Sequence, residues 1–280
     1  MHSFSMRFPG GKLKAMTFSY DDGVSADYRL VELMRKYHIK GTFNINTVYY
    51  KNEASPDHHV TKDFLKELAN DPQFEIACHG HSHPYYTLIP QSAAINDIIT
   101  NRKNLEEITD TIVRGFAYPY GPYNDLSEEA IKASGIVYAR PTQPTNAFKL
   151  PENWLRWHPT CHHKMSLNLY DEFEGLNYSA GDGSVMYVWG HSYEFDNDNN
   201  WNLIETLFER CHKNPDIWFA TNMEIYNYVE DFKRLVFSAD GSIVHNPTRT
   251  DLYANLDGFW KPDTGTAVTI PAGATVKLYL

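Results

Sequence analysis

Cysteine is scarce in this chain: there are three, Cys78, Cys161 and Cys211, and no two of them form a Cys-x-x-Cys pair. Neither a disulfide framework nor a thiolate zinc site is suggested, and a reducing compartment fits. Basic residues are also in short supply, 25 Lys and Arg against 35 Asp and Glu, for a net charge of -10. Without a cationic excess the chain has little with which to displace counterions from a phosphate backbone, so nucleic acid is not an expected partner. No apolar run reaches the ~18 residues that crossing a bilayer requires. Met1 to Gly10 lacks the apolar stretch of a secretory leader. The expectation is a soluble, cytoplasmic protein with no membrane span, or an exported one if a leader has been removed. Internal repeats and low-complexity segments are missing too, which sets aside fibrous and disordered classes.

What the chain does have is globular material. Its 280 residues are 42% hydrophobic and 21% charged, close to the average for folded domains, and they suffice for one α/β barrel with a small appendage. Aromatic content is high at 14%, with 19 Tyr; such rings fill cores and also stack on sugars. From Leu13 to about Ile225 short apolar runs alternate with amphipathic stretches, the pattern of repeated βα units. The predicted strands are 14–19, 41–46, 74–77, 113–118, 136–140, 185–189 and 217–220. The predicted helices are 27–38, 61–70, 91–108, 127–134, 200–212 and 222–233, with Thr61 and Ser127 as N-caps. About seven strands in this order predict an α/β fold, a distorted (β/α) barrel spanning 1–237. After Phe237 the texture changes to turns between short β-type runs at 242–244, 252–254, 267–270 and 275–280. Residues 238–280 therefore read as a small β-rich C-terminal appendage packed on the barrel and remote from the chemistry. Its turn signals are Asp240-Gly241, Asp257-Gly258 and Ala272-Gly273.

Four clusters carry chemistry. Asp21 and Asp22 directly follow the first predicted strand, in Thr17-Phe18-Ser19-Tyr20-Asp21-Asp22-Gly23. Strand C-terminal ends are where α/β barrels build their sites, and adjacent carboxylates both stay ionised only beside a cation or a donor. His79-Gly80-His81-Ser82-His83-Pro84 follows the third predicted strand. If that segment takes a helical turn, His79 and His83 face one way and His81 points away. With Asp22 as a third ligand the result is a His2Asp set that leaves positions open for water and substrate. Ala117-Tyr118-Pro119-Tyr120-Gly121-Pro122-Tyr123 follows the fourth predicted strand, and its Pro and Gly fix a tight loop that can aim a backbone N–H at a ligand oxygen. His191, in Trp189-Gly190-His191-Ser192-Tyr193-Glu194, follows the strand 185–189.

Together, over about Phe8 to Val229, these clusters resemble the polysaccharide deacetylases, the carbohydrate esterase family 4 proteins that share the chitooligosaccharide deacetylase homology domain. The family's T-F-D-D-G is met by Thr17 to Gly23 with an expanded lead into the Asp pair. Its H-[ST]-x-x-H matches His79 to His83, with Gly80 where Ser or Thr is usual. Its P-Y-G matches Pro119-Tyr120-Gly121, and its late His matches His191. The resemblance implies Asp21 as general base, Asp22, His79 and His83 as metal ligands, the Tyr120 N–H as oxyanion donor and His191 as general acid. It departs in two respects. The family's Asp-rich fourth motif is not recognisable, and Ala117 stands where an Arg commonly orients the base. Arg140, ending the next predicted strand, is expected to supply that guanidinium to Asp21. Glu194 is a candidate to hold His191 charged, and Tyr123 and Trp189 are candidate substrate platforms.

The expected function is a metal-dependent hydrolase removing N-linked acetyl, or another acyl group, from an acetylated carbohydrate. The cofactor is a divalent metal, zinc by default, with cobalt, nickel, manganese and iron compatible with the same donors. Two other readings remain: hydrolysis of a non-sugar linear amide on the same fold, and a catalytically inactive sugar-binding protein using Tyr85, Tyr86, Tyr123, Trp154, Trp157 and Trp189. The intact set Asp21, Asp22, His79, His83 and His191 speaks against the second. Nothing in the sequence specifies an oligomer.

Overall fold

A computed structural model describes residues 3–50, 58–177, 181–257 and 266–278. In chain order its elements begin with β1 (Ser3–Arg7), β2 (Lys14–Asp21), α1 (Asp27–Lys36), β3 (Gly41–Ile45), α2 (Lys62–Ala69), β4 (Phe74–Cys78) and α3 (Gln91–Thr109). Next come β5 (Gly115–Ala117), α4 (Asp125–Ala133), β6 (Tyr138–Arg140), β7 (Cys161–His162), α5 (Ser166–Glu174), β8 (Ser184–Gly190) and α6 (Tyr193–Asn197). Then follow α7 (Trp201–Cys211), β9 (Ile217–Phe219), α8 (Asn222–Lys233), β10 (Val236–Phe237), β11 (Ile243–His245), β12 (Leu252–Asp257), β13 (Thr266–Ile270) and β14 (Thr275–Lys277). No helix among the described residues is long and apolar enough to cross a membrane.

Strands β2 to β9 form one parallel sheet in the order β6-β5-β4-β3-β2-β8-β7, with β9 also paired to β2. One edge of β2 takes β8 along its length, while the other is shared between β9, at Lys14 to Met16, and β3, at Ser19 to Asp21. The segment between β6 and β7 bridges the curled sheet: Trp157 N–H donates to Ala139 O at 2.9 Å and Thr160 N–H to Tyr187 O at 2.8 Å. The sheet is thus a distorted (β/α) barrel. Its seven expected strands are present, together with the two-residue β7 that the sequence pattern does not reveal. The predicted strand 113–118 shortens to β5 because α3 claims the backbone of Val113. Glu106 accepts its N–H at 3.1 Å and Arg102 donates to its carbonyl at 2.7 Å. Ser127 is not the N-cap of α4; Asn124 is, and the two side chains bond each other's backbone N–H at 2.9 Å in a reciprocal box. Thr61 caps α2 as its position suggests, accepting from Phe64 N–H at 3.2 Å.

The two faces of β2 explain why its end is chemical. All eight residues are buried, yet side chains alternate between faces with period two. Met16, Phe18 and Tyr20 pack with Leu30, Met34, Ile204 and Phe208 against the helices. On the other face Ala15 meets Val185, Tyr187 and Ile225, and the same alternation then brings Thr17, Ser19 and Asp21 to the barrel interior. That interior is polar. Thr17 Oγ1 donates to Asn222 Oδ1 at 2.8 Å, Asn222 Nδ2 to Tyr187 OH at 2.6 Å, and Asn44 Nδ2 to Ser19 Oγ at 2.8 Å.

Lower in the barrel, Glu75 accepts from Tyr138 OH at 2.7 Å, Thr42 Oγ1 at 3.0 Å and Met223 N–H at 2.9 Å. Burial pushes its carboxyl up to about 7 in spite of these donors. The folded chain then holds a proton on Glu75 that the unfolded chain has released, across a window from about 4.5 to about 7. By linkage the contribution is fully present below that window and is lost as pH rises through about 7. The urea midpoint is therefore expected to fall between pH 5 and pH 8 by more in the wild type than in Glu75→Gln. Equal slopes would contradict it.

The tail forms two antiparallel sheets, β10-β11-β14 and β1-β12-β13. In the second, Ser3 to Arg7 pairs with Asp257 to Tyr253, so the N-terminal strand, absent from the sequence reading, joins the tail. Val244, Leu252, Ala254, Ile270 and Leu278 share one apolar cluster with Ala15 and Ile225. Gly258 of the expected Asp257-Gly258 turn, and the last two residues of the predicted strand 275–280, lie outside the described residues.

Candidate active site

The C-terminal ends of five parallel strands contribute to one site. Asp21 ends β2 and Asp22 follows it; His79 and His83 follow β4, Tyr120 follows β5, Arg140 ends β6 and His191 follows β8. His79 Nε2 and His83 Nε2 are 3.2 Å apart. Asp22 Oδ1 is 3.5 Å from the first and 3.6 Å from the second. Bonds of 2.0–2.2 Å to a tetrahedral ion separate neighbouring donors by about 3.3–3.6 Å, so these three atoms have the spacing of ligands to one small divalent ion. His79 also presents the right tautomer. Its Nδ1 is 2.8 Å from Ala117 O, a carbonyl that can only accept, so Nδ1 carries the proton and Nε2 offers its lone pair. The donor set fits a divalent metal of the zinc type, and its identity is not decided by two imidazoles and a carboxylate.

The imidazoles do not converge through a helical turn, as their spacing suggested. Gly80, at φ 78°, and His83, at φ 53°, are left-handed, which breaks the turn. Asp97 ties the loop down instead, accepting from His81 N–H at 2.8 Å, Ser82 N–H at 3.0 Å, Ser82 Oγ at 2.6 Å and Tyr86 OH at 2.6 Å. Gly80 departs from Ser or Thr for a visible reason: a Cβ there would lie 2.6 Å from Tyr86 OH. His81 turns away to Thr47 Oγ1, 2.9 Å from its Nδ1. His79 is held further by Asn101 Oδ1, which accepts its N–H at 3.1 Å, and by Asn46, which donates to its carbonyl. Of seven non-glycine residues with positive φ among those described, three are Asp22 (81°), His83 and Tyr120 (61°). Such conformations persist only where the surroundings over-determine them, and they cluster at functional sites.

Arg140 lies against Asp21. Its Nη2 donates to both carboxylate oxygens, at 2.5 and 2.6 Å, and Asn44 Nδ2 adds a bond to Oδ1 at 2.9 Å. The strand register explains the contact: Arg140 is the direct partner of Ala117 across the β5–β6 ladder, and paired residues point to the same face. The guanidinium missing at Ala117 is supplied one strand over. It grips through a single nitrogen rather than a two-nitrogen fork, and its Nε and Nη1 are buried without hydrogen-bond partners among the described residues. Burial alone would raise the Asp21 carboxyl, but Arg140, followed by His79 and His191, holds it down to about 2.

On the other side His191 Nδ1 is 2.7 Å from Glu194 Oε1, and its Nε2 is 3.9 Å from Asp22 Oδ2. Burial disfavours charge on this imidazole, but the Glu194 bond and the nearby Asp21 and Asp22 lift its pKa above the ordinary value. Glu194 is held far below the usual carboxylate range, against its burial, by hydrogen bonds from His162 and His191. Tyr120 is 51% exposed, and no acceptor for its backbone N–H appears among the described residues. Its ring stacks on Tyr85 at 3.9 Å and meets the edge of His83 at 4.4 Å. The two expected platforms are otherwise engaged. Trp189 is 9% exposed with Arg140 over its ring, while Tyr123 is half-buried under Arg156 and bonded to His158 Nε2 at 3.0 Å. Sequence reasoning missed Asn44, Asn101, Asp97, His162 and the Tyr85–Tyr120 stack. Asn44 alone had a local signal, a polar residue on the end of a barrel strand.

Residues 9–139 match the family model described as polysaccharide deacetylase. That stretch is just under half of the chain, and over it the chain is similar to the polysaccharide deacetylase family. No curated protein matches the sequence. Among solved structures, the chain is similar to a candidate polysaccharide deacetylase from Mycobacterium smegmatis, at 13% identity and a TM-score of 0.58, covering 83% of this chain and 96% of that one. It is also similar to a carbohydrate esterase family 4 pseudoenzyme from Bacillus anthracis, at 16% identity and a TM-score of 0.50, covering 79% and 67%. A Streptococcus pyogenes deacetylase solved with acetate is 18% identical at a TM-score of 0.44, over 50% of this chain and 61% of that protein. The chain thus spans about three-fifths of that last protein, and likeness at these identities is of fold. The polysaccharide deacetylase match includes Asp21, Asp22, His79, His83 and Tyr120 and stops one residue short of Arg140; His191 and Glu194 lie beyond it.

Proposed function

We propose that this chain is a metal-dependent hydrolase that removes an N-linked acyl group, acetyl foremost, from a carbohydrate. The observation that carries the reading is the spacing of Asp22 Oδ1, His79 Nε2 and His83 Nε2, 3.2 to 3.6 Å apart, between an Arg-held carboxylate and a Glu-held imidazole. When bound, a divalent ion supplies Lewis acidity that acidifies water and polarises an acyl carbonyl. Asp21 takes the proton of the attacking water, with Arg140 and Asn44 fixing its orientation. The Tyr120 N–H donates to the oxygen on which negative charge develops, a role that supplies about 3–4 kcal/mol where it has been measured in other enzymes. His191 gives its Nε2 proton to the departing nitrogen, which an amide requires because amines leave poorly. Glu194 keeps that imidazole charged and turned toward the site. The exposed Tyr85–Tyr120 stack beside His83 offers an aromatic face of the kind sugars pack on, and supports a carbohydrate over a linear amide.

An acetate-release screen tests this. The protein is stripped with chelator, one metal at a time is returned, and N-acetylated sugars and oligosaccharides are compared with acetylated linear amines. Acetate is expected from the sugars only when metal is present. Release from the linear amines alone would move the substrate class. Binding of a sugar with no release under any metal would make the chain a binding protein.

A further inference from the structure

Behind the acid, on the side away from Asp22, lies a second group of ligating atoms. Glu194 Oε1 is 2.7 Å from His191 Nδ1 and 3.2 Å from His162 Nε2, and one donor atom from each of the three residues lies within 4.8 Å of the others. All three side chains reach solvent, at 23% for His162, 21% for His191 and 16% for Glu194. A fourth imidazole stands close by. His163 is fully buried, neither ring nitrogen has a hydrogen-bond partner among the described residues, and its Nε2 is 3.8 Å from Glu194 Oε2. A buried imidazole with nothing to bond is unusual, and here it is directed at the same carboxylate. One cation already competes for the position: Lys164 Nζ is 3.2 Å from Glu194 Oε2 and 2.9 Å from Asp198 Oδ2, on a side chain that is 49% exposed.

We infer that His162, His191 and Glu194 form a second divalent-cation site, weaker than the Asp22–His79–His83 set, whose occupation disables the acid and makes excess metal inhibitory. Imidazoles and a carboxylate are the donors that borderline ions such as zinc select. It is weaker because an ion must displace Lys164 and open the 2.7 Å Glu194–His191 contact to about 3.3 Å. The inhibition follows from the two faces of one ring. His191 Nδ1 faces Glu194 while its Nε2 faces Asp22, so an ion on Nδ1 replaces Glu194 as its partner and removes the positive charge that proton donation needs. The site stands on its own geometry; only the inhibition rests on the hydrolase reading.

The test separates the two. Zinc binding is measured by equilibrium dialysis on His79→Ala/His83→Ala, in which the first set is destroyed, and on the same protein with His162→Leu or His162→Asn added. Circular dichroism confirms that each folds. One zinc per chain in the double variant, its affinity reduced at least tenfold by either change at His162, is the expected result. No zinc in the double variant, or binding indifferent to both changes at His162, overturns the site. On the intact chain, once a substrate is in hand, turnover should rise with the first equivalent of zinc and fall with excess, and His162→Leu should blunt the fall. Site binding without that fall would overturn the inhibitory role.

Discussion

Asp21→Asn is expected to lower turnover by about 10²- to 10⁴-fold, the range for deleting a positioned base, and to destabilise the fold as well. On sequence alone the second effect is not expected, because Asn keeps the shape of Asp. The barrel interior changes that. Arg140 is wholly buried, and among the described residues Asp21 is its ion-pair partner. An amide in place of the carboxylate strands the guanidinium in a low-dielectric site, and breaking a buried pair from one side costs about 3–5 kcal/mol. Denaturant unfolding beside kinetics on a confirmed substrate checks both effects. Unchanged turnover would mean that Asp21 is not the base.

Arg140→Met should be destabilising on the same scale, about 3–5 kcal/mol, with the carboxylate now stranded. The guanidinium is what offsets burial at Asp21, so its removal should also push that carboxyl up from about 2. The expected kinetic signature is a fall in kcat larger than any rise in KM, with metal content intact, because Arg140 touches the base and none of the three ligands. Asp21→Asn/Arg140→Met removes charge from both sides and should recover most of the stability lost in either single variant, since buried pairs are often replaceable by apolar groups. Turnover should not return. Two stability losses that add in full would show that the residues are not coupled.

Much of this site is legible in the sequence because it depends on local order. A strand alternates its faces, so an Asp pair or a His triplet directly after an apolar run must emerge at a strand end, and barrels gather those ends. Arg140 is reachable by the same logic, since neighbouring parallel strands carry partnered residues to one face. What is not legible depends on contacts distant in sequence. The left-handed turn at His83 is fixed by Asp97 and Tyr86. Trp189 reads as a platform until Arg140 is seen covering it. His162 ends a two-residue strand without periodicity and His163 begins the short 3-10 turn after it, and only the fold brings them to Glu194. The N-terminal strand β1 is invisible for the same reason, because its partner β12 begins about 250 residues later.

The most direct test of the account is the metal content of the chain after exhaustive dialysis against limiting zinc, compared with that of His79→Ala/His83→Ala. One firmly retained ion per wild-type chain, lost from the folded double variant, is the predicted result. Equal occupancy in both proteins, or none in a wild type that nonetheless releases acetate, would contradict the claim that Asp22, His79 and His83 hold a working metal.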